Sequence, residues 1–260
     1  MKVSDVIKVI EDAAPLGFQD GFDNSGLQVG SPAAEARRIL VTLDITEEVL
    51  GEAVRLGCDM IVSHHPLIFH PLRQVGDGSY QQRCVVTAIR EGIAIYSSHT
   101  SLDNAPGGVN YEIASRLGLR DLRVLDAKDG GCGAGLAGRL PEPCSDSDFL
   151  GLLQSVFEVG CLRHSGTTGR LISSVALCGG AGAFLMKKAV EAGADCFVTG
   201  EFHYHDFFEN CGMLLAELGH YESEQYTVDL LERILKNGLP SAEVCRTSLN
   251  TNPIYKLIRK

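Results

Sequence analysis

One ten-residue pattern occurs twice in this chain, and it restricts the fold more than any other feature. Residues 53–62 (AVRLGCDMIV) align without a gap to residues 189–198 (AVEAGADCFV), and Ala, Val, Gly, Asp and Val coincide at five of the ten positions. Each copy reads as the end of an amphipathic helix, a glycine that stops it, and an apolar strand. Further on, Gly92 matches Gly212, and a one-residue shift then sets His99 on His220 and Asp103 on Glu224. Both halves therefore carry His-x-x-x-acid just after a strand. The alternative is coincidence between two generic βα units.

The pattern between these anchors predicts an α/β protein with a largely parallel sheet, because strands alternate with helices. A helix is expected over 4–14, capped by Ser4, then a turning loop (FQDGFDNSGLQVG) and a short strand at 27–29. Strands follow at 39–45, 59–63 and 93–97, with helices over 47–56 (capped by Thr46), 80–91 and 108–117. The second half repeats the plan with strands at 171–179, 195–199 and 213–218, and helices over 183–192 and 221–237. The reading is two similar βα lobes related by an internal repeat, with a metal site between them. The first lobe is placed at 1–125 and the second at 171–260. Residues 126–170 connect them through a Gly- and Pro-rich stretch and one helix near 146–157.

Composition excludes several classes. The net charge is −10, without a basic stripe, so nonspecific nucleic-acid binding is not expected. The N-terminus carries Asp5, Lys8 and Glu11 at helical intervals and lacks the apolar run of a signal peptide. The longest uncharged stretch, 171–186, is too short to span a bilayer. The nine cysteines form no CxxC pair and read as free thiols of a reducing compartment. Together these place the protein in the cytoplasm, with no membrane partner.

Seven of the eight histidines fall in segments that follow predicted strands or connections, including SHHPLIF, SHTSLDN, GEFHYHDF and GHYESE. Strand carboxyl ends are where open α/β sheets place their sites. His64 and His65 lie between apolar runs, where desolvated imidazoles need partners, and adjacent side chains diverge enough to reach two different ions, or one ion and a supporting partner. His220 and Glu224 are four apart on a predicted helix, so a nitrogen and a carboxylate share one face. That spacing also suits an ordinary solvated face, and Asp103 alone reads as a turn aspartate. Taken together, the five groups hold three nitrogens, two carboxylates and no sulfur, a set suited to Zn, Fe or Mn. His99, at the repeat position of His220, is a candidate ligand or supporting group. Glu201 and His203 are candidates to orient ligands or to act as acid and base. The GGAG turn at 179–182 could cradle phosphate, but it lacks the Lys-Ser/Thr ending of a P-loop, and close helix–strand packing explains it better.

The stretches FDNSGLQVG (22–30), SHHPLIF (63–69), SSHTSLDNAPGGVN (97–110), VALCGGAG (175–182), TGEFHYH (199–205) and GHYESE (219–224) resemble, in order, the family of GTP cyclohydrolase 1 type 2, also called NGG-interacting-factor-three-like proteins. The resemblance implies a dinuclear centre of two divalent ions per chain, ligated by His64, His65, Asp103, His220 and Glu224. It also implies a homohexamer. The family label implies a metal-dependent hydrolase acting on an anionic small molecule or nucleotide. A metal carrier or insertion factor and a protein-interaction scaffold are the competing readings. The large domain that some relatives insert between the halves is absent from the connecting region.

Overall fold

The computed structural model describes residues 1–257. The described residues divide into two compact units, one formed by Met1–Ala105 with Thr227–Pro253, the other by Pro106–Tyr226 with residues 254–257.

The first unit begins with α1 (Val3–Ala13), β1 (Gly26–Val29), β2 (Arg38–Thr42), α2 (Glu47–Leu56), β3 (Met60–Ser63), α3 (Tyr80–Glu91), β4 (Ala94–Ser97) and the single turn α4 (Thr100–Asp103). The second unit holds α5 (Val109–Arg116), β5 (Arg120–Ala127), β6 (Gly133–Cys144), α6 (Asp146–Phe157), β7 (Arg163–His164), β8 (Ile172–Cys178), α7 (Met186–Glu191), β9 (Cys196–Thr199), β10 (Leu214–Glu217) and α8 (His220–Glu224). The chain then returns to the first unit as α9 (Thr227–Gly238) and β11 (Glu243–Arg246).

The first sheet runs β1-β4-β3-β2-β11, parallel except for β1. Its register sets Cys245, Leu40, Ile61, Ile95 and Val29 in one row across all five strands. That row packs against Val49, Leu50 and Ala53 of α2 and Cys84, Val85 and Ala88 of α3. Tyr96 points to the other face and donates its hydroxyl to Glu11 of α1 at 3.2 Å. With both faces covered, the strands are continuous apolar runs, as parallel strands must be.

The second sheet runs β5-β6-β8-β9-β10-β7, with β8, β9 and β10 parallel. Ala176, Phe197 and Leu215 stand side by side and pack with Leu185, Ala189 and Phe202. Phe197 is fully buried, and truncating such a side chain to alanine costs about 3–5 kcal/mol.

The two units share a parallel trio, β2-β3-β4 in one and β8-β9-β10 in the other. The repeated decapeptide falls on the same elements in each. Gly57 and Gly193 follow α2 and α7 in the left-handed conformation, at φ 65° and 68°. The aligned aspartates do the same work: Asp59 accepts from the main-chain N–H groups of Arg37 and Arg38, and Asp195 from those of Ser173 and Ser174. Each fastens the start of the neighbouring strand.

Several boundaries differ from the sequence reading. The Gly- and Pro-rich stretch assigned to the connection contains β6, a twelve-residue strand hydrogen-bonded between β5 and β8. Residues 227–253, assigned to the second lobe, complete the first unit, because β11 pairs with β2. The expected helix over 221–237 is two helices, α8 and α9. The cap of α1 is Lys2, whose N–H donates to Asp5 at 2.7 Å, rather than Ser4. Thr46 does cap α2, accepting from Val49 N–H at 3.2 Å. All nine cysteines are free, and burial first of all pushes the thiols of Cys58 and Cys84 up to about 12. No helix among the described residues is long and apolar enough to cross a membrane.

Candidate functional site

In the first unit the chemistry gathers at the carboxyl ends of β2, β3 and β4. Main-chain hydrogen bonds carry the chain past β3 in an extended line, His64 N–H to Thr42 O and His65 N–H to Leu43 O. The two imidazoles then diverge, with ring centroids 4.9 Å apart and planes tilted by 43°. His99 follows β4, and its ring lies 5.4 Å from His64 and 5.6 Å from His65. These three histidines can each offer a nitrogen within 4.8 Å of the others. His64 is fully buried, and its Nε2 faces Asp103 Oδ1 at 3.5 Å. Asp103 ends the turn α4, which the network beneath it holds in place.

That network orients each imidazole through its Nδ1. His64 Nδ1 lies 2.8 Å from the carbonyl oxygen of Ser98, His65 Nδ1 2.6 Å from Asp44 Oδ1, and His99 Nδ1 2.7 Å from Asp23 Oδ1. A carbonyl oxygen only accepts, so the proton of a neutral His64 resides on Nδ1 and leaves Nε2 with its lone pair. Carboxylates at His65 and His99 impose the same tautomer. Metal-binding histidines are held this way, by an oxygen acceptor on the far nitrogen.

Asp23 is clamped by further donors: Thr100 N–H at 3.0 Å, Thr100 Oγ1 at 2.6 Å and Ser25 Oγ at 2.7 Å. Burial works to raise its carboxyl, but the hydrogen bond and charge of His99, with those of Thr100 and Ser25, prevail and hold it far below the usual carboxylate range. For Asp44 burial is again opposed and outweighed, by His65 and by Thr251 Oγ1, which donates to Oδ2 at 2.6 Å. Neither aspartate was among the sequence candidates. Both sit in turns, where aspartate is commonplace.

In the second unit the corresponding groups follow β9 and β10. His220 opens α8, and Glu224, one turn on, directs Oε2 to within 3.1 Å of His220 Nε2. His220 Nδ1 lies 3.0 Å from Glu201 Oε1, so a carboxylate orients this imidazole too. Glu224 is buried against the GGAG turn: a Cβ on Gly180 would come within 2.4 Å of Glu224 Oε1, and the N–H of Gly180 donates to Ser223 Oγ at 3.0 Å. The glycines there give room to the helix that carries Glu224, in keeping with the packing explanation.

Glu201, His203 and His220 line a cavity of about 770 Å³, together with Phe184, Arg163 and Lys256. Its cations are paired, Arg163 with Glu217 and Lys256 with Glu222, each at 2.8 Å. His203 precedes the 3₁₀ turn Tyr204–Phe208, and its N–H donates to Asp206 at 2.7 Å. His164 lies in β7, with Nδ1 2.6 Å from Ser165 O. The structure thus groups His64, His65, His99 and Asp103 in one unit, and His220, Glu224 and Glu201 in the other. These histidine–carboxylate clusters could hold metal.

The profile of the family described as Duf34/NIF3 (NGG1p interacting factor 3) matches residues 1–253. A Lactococcus lactis protein named GTP cyclohydrolase 1 type 2 homolog is 34% identical, over 99% of this chain and 100% of its own. A protein of the same name from Clostridium perfringens is 33% identical, over 93% and 94%. Among solved structures, a Staphylococcus aureus hypothetical protein superposes with a TM-score of 0.92 at 25% identity, covering 99% of both chains.

Proposed function

Because the chain belongs to the Duf34/NIF3 family, we propose that it is a metal-dependent hydrolase in which His64, His65, Asp103, His220 and Glu224 together hold two divalent ions. The observation that carries this reading is the common anchoring of the imidazoles. His64, His65 and His220 each place Nδ1 against an oxygen acceptor, the orientation usual for a ligand that binds through Nε2, and each stands beside a carboxylate or a second imidazole that could share an ion. The donor set of nitrogen and carboxylate oxygen, without thiolate, fits Zn, Fe or Mn.

Bound divalent ions would acidify a water molecule and polarise an electrophile. Two carboxylates against two divalent ions leave an excess of positive charge that favours an anionic substrate. The relatives' name, GTP cyclohydrolase 1 type 2 homolog, supports a nucleotide. Asp44 and Glu201 keep His65 and His220 in the ligating tautomer. His203, on the wall of the same cavity as His220, is assigned the transfer of a proton.

Metal analysis of saturated protein should give about two ions per chain, reduced by at least one in His220→Ala and unchanged in His164→Ala. Loaded protein should turn over GTP, another nucleotide or a phosphodiester, above metal-stripped protein and Glu224→Ala. If none turns over, and the loaded protein instead restores an apo-metalloenzyme faster than free metal does, the protein is a carrier and the hydrolase reading fails.

A further inference from the structure

Two large aromatic side chains stand exposed beside the first unit's histidines. Phe22 is 69% exposed and Phe69 37%. Their rings meet edge to face at 6.4 Å, and Phe69 in turn stands perpendicular to His99, at 5.9 Å. A row Phe22–Phe69–His99 therefore leads from solvent to the imidazole cluster.

The two loops that carry these rings are tied together. Asn24 Nδ2 donates to Ile68 O at 2.5 Å, and Ile68 N–H donates to Gln28 Oε1 at 3.1 Å. Gln28 Nε2 donates back to Asn24 O at 2.6 Å. Phe22 directly precedes Asp23, the partner of His99, and Phe69 lies four residues past His65. The segments that carry the rings are thus held together beside the histidines. Exposed aromatic surface held in register beside a polar cluster is the mark of a recognition surface.

We infer that Phe22 and Phe69 form a wall that holds a planar aromatic ring of the substrate by stacking or edge contact, while its polar group is presented to the histidines. This rests on the metal reading given above and adds the chemical class of the group next to the reacting atoms. Contacts of this kind tolerate different ring types, because every such ring has a π-face.

The test uses metal-loaded full-length protein and two hydroxamates, which bind divalent ions through the same two oxygens. Acetohydroxamate has only a methyl group beyond them, whereas benzohydroxamate has a phenyl ring. Calorimetric titration should show benzohydroxamate binding about tenfold or more tightly than acetohydroxamate. In Phe22→Ala and Phe69→Ala that ratio should fall at least about threefold, with metal content and acetohydroxamate affinity unchanged, which also shows the variants to be folded. A ratio near one in the wild type, or a ratio preserved in both variants, overturns the wall and leaves the metal reading intact. If the wild type retains no metal and binds neither hydroxamate, the metal reading fails and the wall with it.

Discussion

Replacing Asp44 by alanine should weaken divalent-ion binding by about 10–100-fold, the usual consequence of removing the carboxylate behind a ligating histidine. Chelator competition measures it, and circular dichroism should show the secondary structure unchanged. Equal affinity in Asp44→Ala and wild type would mean that the 2.6 Å contact to His65 does nothing for the metal. Four of the five proposed ligands stand out in the sequence by their company, a double histidine between apolar runs and a His–Glu pair one helical turn apart, whereas Asp103 joins them only through the repeat and the family resemblance. Asp23 and Asp44 were not legible, since an aspartate in a loop has an ordinary explanation. A signal for Asp44 did exist. It closes the apolar run 39–45, and so lies at a strand's carboxyl end like the histidines.

At the level of elements, Gly180→Ala should cost about 1–3 kcal/mol, because φ is 59° there and only glycine adopts that conformation freely. The added Cβ would also press on Glu224 Oε1, so metal content should fall along with the denaturation midpoint. Glu52 gives a separate, pH-dependent test. It is buried in α2 and accepts from Ser248 N–H and Oγ and from Thr247 Oγ1, which fasten the segment after β11. Burial would raise its carboxyl, but these donors outweigh burial and set it below its ordinary 4.5. A lowered folded-state value gives stability that is complete above 4.5 and is lost as pH falls through the folded value. Melting temperature should therefore fall more steeply below about pH 4.5 in wild type than in Glu52→Gln. Parallel slopes would show that Glu52 carries none of the acid sensitivity. Most helices and the parallel strands were readable from periodicity, and β6 was not. Its glycines looked like a connection, yet they serve close packing: a Cβ on Gly133 would lie 2.3 Å from Asp126 O, and one on Gly135 2.6 Å from Leu185. Strand β11 escaped notice because it is an edge strand of four residues, exposed at both ends and half-buried between, too short for alternation to show.

For the molecule as a whole, the family resemblance leads us to expect a homohexamer, so light scattering at micromolar concentration should give about six times the 28.0 kDa chain. A stable monomer would remove the expectation. The return of the chain to its first unit has a different consequence. The unit that starts at Met1 lacks α9 and β11 until Arg246 has been made, whereas residues 106–226 are contiguous. A ribosome adding about 5–20 residues per second needs roughly 10–40 s to go from β2 to its edge partner β11. During that interval β2 presents an unpaired apolar edge, the kind of surface that recruits foreign strands. The nascent chain is thus in need of protection through most of its synthesis, and slowing translation between residues 43 and 242 should lengthen its association with chaperones more than slowing it before β2.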